Sequence, residues 1–345
     1  MKDVLDLLST AKVENYVQPP QKYKSTRGQD MFGYPPEMLP KAAAYYYSHM
    51  NSLEFDEAST ILKSMKESLA IEECSLIIKR ALFGNYRSIS FLKEKTNPAE
   101  IILELYSRYL EQSQAEIKAL LDNASTIYTE RWNEVVPDED NVTPEQLNIF
   151  YNSFPFPVGC FLQECAKNNL VLAYRALPIL LADANGSKKI FDFGGNSGLV
   201  TSSMASMLDL DVCMLIEENT KMLNFAKWRD DLFGIKNVIY KKESEICSEI
   251  ADYTGFFDFG VCTEVLEHAY FVEETVAVMA QMLKQGALLY QSASFGLYPE
   301  PSHLKKNLCY AGKEDELMNM YGFDRITGLN LPIPVYPNIR IYVKR

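Results

Sequence analysis

Glu264, Glu267 and His268 stand at positions 0, +3 and +4 of the run EVLEH, and a helix over that run would carry all three on one face. Carboxylates and an imidazole so grouped can do two kinds of chemistry. A neutral histidine can take a proton from a hydroxyl or an amine near pH 7. Joined by His303, which follows in SFGLYPEPSHLKKNLCYAG, the same donors could close around a divalent ion. The expected catalytic set is His268, Glu267 and His303 with no metal; Glu264, Glu267, His268 and His303 form the alternative metal set. His268 reads equally well as a residue bonded to a neighbouring carboxylate or backbone group. His49, the remaining histidine, lies in AAAYYYSHM, where the tyrosines favour helix packing.

These side chains need a scaffold, and the run KKIFDFGGNSG (Lys188 to Gly198) supplies its centre. An apolar stretch ends in Asp192. Gly194, Gly195, Asn196 and Gly198 follow, then LVTSSMASML reads as a helix start. Strand, tight turn and helix N-terminus are the arrangement by which an open α/β sheet holds a nucleotide-like ligand at its carboxyl edge. No G-K-[ST] follows, which excludes a P-loop, and the spacing is G-G-x-x-G rather than G-x-G-x-x-G. The next strand, VCMLIE, ends in Glu217, where a carboxylate can accept ribose hydroxyls. Glu217 could instead cap the following helix, and Glu218 is an alternative ribose acceptor.

Further on, strand and helix patterns alternate: NVIYKK, FFDFGVC, VEETVAVMAQML, GALLYQSA, KEDELMNMYGF, ITGLNLP and NIRIYVKR. The pattern predicts an α/β sheet with a parallel core covered on both faces, closed by an antiparallel edge hairpin. FFDFGVC closes on Thr263 at the same carboxyl edge.

The motifs, taken in order, resemble those of class I S-adenosylmethionine-dependent methyltransferases. DFGGNSG resembles the family's D/E-x-G-x-G-x-G, with Asn196 in place of the middle glycine; asparagine tolerates left-handed geometry. IEENTKMLNFAK resembles the second-strand acid and its helix, FDFGVCTEVLEH the end of the fourth strand, and MLKQGALLYQSAS the turn into the fifth. The resemblance covers about Val158 to Arg345. It implies a Rossmann-like seven-stranded methyltransferase sheet and S-adenosylmethionine as cofactor. It places the methionyl part beside Asp192 to Gly195, the ribose at Glu217, the adenine near Lys242 to Glu245 with Glu243 in reach, and the methyl group toward Thr263 to His268. Asp192, Gly194, Gly195, Asn196, Gly198, Glu217, Glu243 and Thr263 are thus the expected cofactor residues. The insertion after the fifth strand should overhang the transfer centre, making Tyr298, His303 and Tyr310 candidate acceptor-binding residues. The E-x-x-E-H string also resembles metal-dependent RNA 2′-hydroxyl methyltransferases and some quinone-precursor O-methyltransferases.

The N-terminal half reads as mainly helical. Asn97-Pro98 is a helix start, and Ile102, Leu105, Tyr109, Ile117 and Leu120 follow a helical face. Thr143, Pro144 and Gln146 predict a capping box after the polar break VPDEDNV. YNSFPFP (Tyr151 to Pro157) is either a packed connector or part of the acceptor pocket, and Pro178 is expected to interrupt the helical stretch Val158 to Ala184. The division is a helical cap and dimerisation surface over 1–157 and a methyltransferase domain over 158–345.

Bulk properties narrow the function classes. A net charge of −12, from 46 acidic and 34 basic residues, argues against nucleic acid or an anionic membrane as a partner. No apolar run reaches the roughly 18 residues a bilayer span needs, and the start lacks a secretory signal. Seven cysteines without a C-x-x-C pair suit a reducing, cytoplasmic setting. The expectation is an enzyme that methylates a small molecule, at oxygen, in specialised metabolism, with a candidate homodimer surface. Metal-assisted methylation of a catechol-like or RNA hydroxyl and a non-catalytic, methyltransferase-like interaction subunit are the alternatives.

Overall fold

The computed structural model describes residues 12–13, 75–79, 81, 89–92, 98–160, 162, 169–296, 300–327 and 339–345. His49, the tyrosine run around it and Tyr298 lie outside the described residues.

The sheet is built from β1 (Lys12–Val13), β2 (Lys189–Phe193), β3 (Val212–Ile216), β4 (Val238–Lys241), β5 (Phe257–Thr263), β6 (Leu283–Ser292), β7 (Phe323–Thr327) and β8 (Ile339–Lys344). Their order is β1-β7-β8-β6-β5-β2-β3-β4. The strands β4, β3, β2, β5 and β6 pair in parallel, and β8 enters antiparallel between β6 and β7. Strand order therefore reverses between β2 and β5, the switch point outside which open α/β sheets bind ligands. Apart from the two-residue β1, this is the expected seven-stranded, Rossmann-like methyltransferase sheet.

Alternation along the strands builds a core on each face. Ile190 and Cys213 join Phe259, Val261 and Tyr290 on one face. Phe191, Phe193, Met214 and Ile216 join Phe257 and Leu289 on the other.

The described helices are α1 (Pro98–Leu110), α2 (Gln114–Asp122), α3 (Ala124–Val135), α4 (Pro144–Ser153), α5 (Phe156–Gly159), α6 (Asn169–Ala184), α7 (Leu199–Met207), α8 (Thr220–Phe233), α9 (Glu243–Tyr253), α10 (Val272–Met282) and α11 (Glu314–Met320). The predicted capping box opens α4: Gln146 N donates to Thr143 Oγ1 at 3.2 Å, and Thr143 N to Gln146 Oε1 at 2.9 Å. Tyr106 and Tyr109 of the helical region pack edge-on against Phe225 of α8, and Phe156 meets the same ring at a tilt. Farther along, Trp132, Phe150, Phe154 and Leu304 form a separate apolar cluster.

Four sequence expectations change. Pro178 lies inside α6 without ending it. A proline leaves the carbonyl four residues earlier without its helical donor, and here the Tyr290 hydroxyl donates to Tyr174 O at 3.1 Å in its place. Helix α9 was not expected: its sequence is polar and Ile246 is its one buried residue, so it carries little apolar periodicity. The penultimate strand begins three residues earlier than ITGLNLP, at Phe323, and runs to Thr327; the rest of that run lies outside the described residues. EVLEH is a turn instead of a helix. Glu264 takes φ +54° while its N–H continues the sheet ladder to Ser292 O at 2.9 Å, and a residue held that way cannot begin a helix.

Candidate functional site

The turn leaving β2 is fixed from below. Gly194 (φ +68°) and Gly195 both donate their N–H to Ile216 O, at 2.8 and 3.3 Å. A Cβ on Gly195 would lie 2.5 Å from Leu215 Cδ1 and 2.7 Å from Asp192 Oδ2; one on Gly194 would lie 2.4 Å from Val265 Cγ2. Packing alone thus demands glycine at both positions. Asn196 occupies the left-handed region at φ +51°, as its replacement of a glycine requires. Its Nδ2 donates to Gly159 O at 3.0 Å, which ties the turn to α5. Gly198 (φ +71°) is the N-cap of α7, whose first N–H groups have no helical acceptor.

Asp192 is buried here and Glu217 is half-buried. Asp192 Oδ2 accepts the Thr201 hydroxyl at 2.7 Å. Burial pushes its pKa up to about 6, against the pull of that bond and of Arg175. Glu217 accepts the N–H of Asn219 on Oε1 and of Asn196 on Oε2, each at 2.9 Å. Burial pushes it up to about 7 despite those two bonds. Each carboxylate oxygen keeps a second lone pair for a ligand hydroxyl. The site therefore suits a ribosyl, methionyl-type cofactor: an acid at the second strand end, a glycine-rich turn and a helix N-terminus.

Glu243 begins α9 and accepts the Thr275 hydroxyl at 3.4 Å; burial, then Glu218, raises its pKa. Thr263 ends β5, and its Oγ1 accepts from Arg175 Nη1. Arg175 is the one basic residue in the apolar helix α6, and no sequence motif includes it. A lone cation in an otherwise apolar helix was the available signal.

Beyond β5, the turn 264–268 and the segment 300–304 bring Glu267, His268 and His303 together, with one ligand atom from each within 4.8 Å of the others. The two imidazole rings meet edge to face, centroids 4.6 Å apart. Glu264 is not in this group: its Oε2 accepts the Ser294 hydroxyl at 2.5 Å. Glu267 is 1% exposed; Oε1 accepts Ser294 N at 3.0 Å, and Oε2 closes no well-formed hydrogen bond among the described residues, with the Glu264 carboxyl as a close neighbour of the group. Burial, then the neighbouring Glu264, holds its carboxyl well above the usual range. These donors, one with an unfilled lone pair, also fit a divalent ion.

His268 Nδ1 lies 3.0 Å from both the carbonyl oxygen and the hydroxyl of Ser302. A carbonyl only accepts, so Nδ1 carries the proton and Nε2 keeps its lone pair. Burial lowers the His268 pKa, keeping the ring neutral. Ser302, fully buried at φ +71°, also meets the Tyr128 hydroxyl at 2.9 Å.

Tyr128 belongs to the helical region, which reaches this edge at several points. Asn219 Nδ2 donates to Tyr151 O at 2.8 Å, and Lys221 Nζ to Asn152 O and Phe154 O at 2.8 and 2.9 Å. The Tyr151 hydroxyl is buried and closes no well-formed hydrogen bond among the described residues, although Ser302 lies near enough to pull on it weakly and Glu267 and Glu217 near enough to act on it through their charges. Tyr310 stands elsewhere, with its ring on Phe295 and its hydroxyl donating to Glu273 at 3.1 Å. Lys305 pairs with Asp140, and Lys306 lies over the Tyr270 ring.

No protein-family model matches the chain, and no curated protein sequence is similar to it. Solved structures show a distant likeness. The YcgJ protein from Bacillus subtilis is 15% identical over 44% of this chain and 68% of its own, with a TM-score of 0.37. The [4+2]-cyclase SpnF is 16% identical over 44% and 58%, at 0.36. An arsenic(III) S-adenosylmethionine methyltransferase from Chlamydomonas reinhardtii is 16% identical over 45% and 61%, at 0.32. The chain spans about three fifths of the length of the last two. The strand order itself is that of a class I methyltransferase-like sheet, here with an N-terminal helical region. Among the described residues no helix is long and apolar enough to cross a membrane.

Proposed function

We propose that this chain is an S-adenosylmethionine-dependent methyltransferase acting on a small-molecule hydroxyl. The supporting observation is the pairing, at the sheet's switch point, of the glycine turn with the Glu217 carboxylate. The cluster of Glu267, His268 and His303 stands across the same edge.

In this reading Glu217 holds the ribose, and the turn Asp192 to Gly198 holds the methionyl part. Glu243 borders the adenine side. Arg175, beside Thr263, takes the donor's carboxylate. When bound, S-adenosylmethionine supplies an electrophilic methyl group. His268 accepts the acceptor's hydroxyl proton at Nε2, and the hydrogen bond from Nδ1 to Ser302 stabilises the imidazolium that results. Glu267 and His303 border that proton. Tyr128 and Tyr151, carried by residues 1–157 acting as a cap on the domain 158–345, exclude water and pack against the acceptor. Tyr298 and Tyr310 would then serve the outer part of the acceptor.

A second reading has one specific observation in its favour, the approach of three metal-type donors within 4.8 Å. Glu267, His268 and His303 would hold a divalent ion that polarises a catechol-like or RNA hydroxyl, with Glu264 supporting them through Ser294. A non-catalytic, methyltransferase-like subunit would bind no donor at all.

The test is transfer of label from [methyl-³H]S-adenosylmethionine to a panel of hydroxylated small molecules, with and without chelator. Label in an extractable product despite chelation is expected. Transfer that needs the metal favours the second reading, and no transfer to any acceptor by a donor-binding chain counts against both.

A further inference from the structure

Directly behind the glycine turn lies an arginine that is 1% exposed. Arg229 of α8 donates from Nη1 to Ser197 O at 2.8 Å and from Nη2 to Gly198 O at 3.2 Å. Its Nε and Nη2 also donate to Oδ1 of Asp230, at 3.1 and 2.9 Å. The other oxygen of Asp230 accepts the Ser202 hydroxyl at 2.8 Å and the Tyr240 hydroxyl at 2.9 Å. The turn, the first turns of α7, α8 and β4 are thereby joined through one buried ion pair.

Stability does not explain such a pair, because desolvation offsets most of the Coulomb gain and apolar replacements are often neutral. Nor is it an anion site, since Asp230 cancels the charge. What the planar fork adds is direction. A trans peptide is flat, so each carbonyl drawn back onto Arg229 sends the following N–H the opposite way. Gly198 N–H is thus aimed at Gly195 O, at 2.9 Å, which closes the turn. Leu199 N–H follows Gly198 O, which Arg229 shares with the first helical bond of α7, from Ser202 N at 2.9 Å, and points out of the helix N-terminus.

We propose that the Arg229–Asp230 pair is a positioning device for the donor-binding turn, acting through the Ser197 and Gly198 carbonyls and touching no ligand. The inference rests on the methyltransferase reading and adds a residue that governs donor affinity from behind the site. A lysine keeps the charge but cannot span two carbonyls and a carboxylate in one plane.

The experiment compares R229K, R229M and D230N with R340K. Arg340 also forms a buried pair, with Glu314 at 3.1 Å, but on β8. Calorimetry with S-adenosylhomocysteine, melting without ligand and the amide resonances of Gly198 and Leu199 are measured for each. The melting temperature should fall in R229K and R340K alike. Only R229K should weaken S-adenosylhomocysteine binding, by about tenfold for the hydrogen bonds lost, and shift those two resonances in the free protein. D230N, which keeps the volume, should lie between wild type and R229K, and carries the test if R229M does not fold. Wild-type affinity in R229K, or equal weakening in R340K, overturns the inference while the donor reading stands. A folded wild type that binds no S-adenosylhomocysteine removes both.

Discussion

Glu217 Oε2 accepts the N–H of Asn196 at 2.9 Å, so the acid that ends β3 and the turn that leaves β2 are one hydrogen-bonded unit. A change in either is felt by the other. In E217Q one carboxylate oxygen becomes an NH₂ group that must face a backbone N–H or turn away. Affinity for S-adenosylhomocysteine, measured by calorimetry, is expected to fall by about tenfold or more.

The same carboxyl makes the ligand-free fold sensitive to pH. Burial raises Glu217 from 4.5 to about 7 and Asp192 from 3.8 to about 6. Between the unfolded and folded values the native state holds more protons than the unfolded chain, so stability falls as pH rises through that window. From pH 4.5 to 7 the Glu217 contribution is on the order of 3 kcal/mol. Melting curves should show the decline, with a shallower slope in E217Q. Donor affinity should move the other way, rising through pH 7 as Glu217 ionises and becomes the better ribose acceptor.

Gly195→Ala places a methyl group against Leu215 and the Asp192 carboxylate. Overpacking of this kind costs about 1–3 kcal/mol. A lower melting temperature and weakened S-adenosylhomocysteine binding are expected together; an unchanged protein would mean the turn is looser than described.

His268→Ala is expected to cut turnover by about 10² to 10⁴-fold, the usual reach of a general base, with S-adenosylhomocysteine affinity kept. Burial lowers the His268 pKa below 6.5, so the pH–rate profile of the wild type should fall only on the acid side of that value. Ser302→Ala removes the hydroxyl between His268 and Tyr128 and should lower turnover less than H268A does. A profile centred above 6.5 argues against His268 as the base.

Tyr151→Phe removes a buried hydroxyl that closes no well-formed hydrogen bond among the described residues and feels a weak pull from Ser302. Relieving such a group is worth about 1 kcal/mol or more. The ligand-free variant should melt higher than the wild type, and a lower melting temperature would reveal a partner for that hydroxyl.

The local part of this architecture was legible in the residues. An apolar run ending in Asp192, a glycine-rich turn and Glu217 one strand later carry their own geometry, as do Thr143 and Gln146 at the start of α4. Distant partners override local pattern elsewhere. EVLEH has helical spacing, yet the bond from Glu264 N to Ser292 O extends the sheet ladder past β5 and forces a turn. That turn still gathers Glu267 and His268, because His303 meets them from another segment, and it leaves Glu264 with Ser294. Pro178 looked like a break because the hydroxyl that replaces its missing donor sits on Tyr290, far along the chain. Arg175 and Arg229 were invisible as site residues for the same reason: a charge inside an apolar pattern reveals its purpose only once Thr263 and the Ser197 and Gly198 carbonyls surround it.

The account depends on one binding event, and titration calorimetry of the folded chain with S-adenosylhomocysteine measures it directly. A single saturable site, lost or strongly weakened in E217Q and G195A, is the predicted result. No heat of binding from a chain that melts cooperatively, or uptake of a nicotinamide dinucleotide in its place, would contradict it.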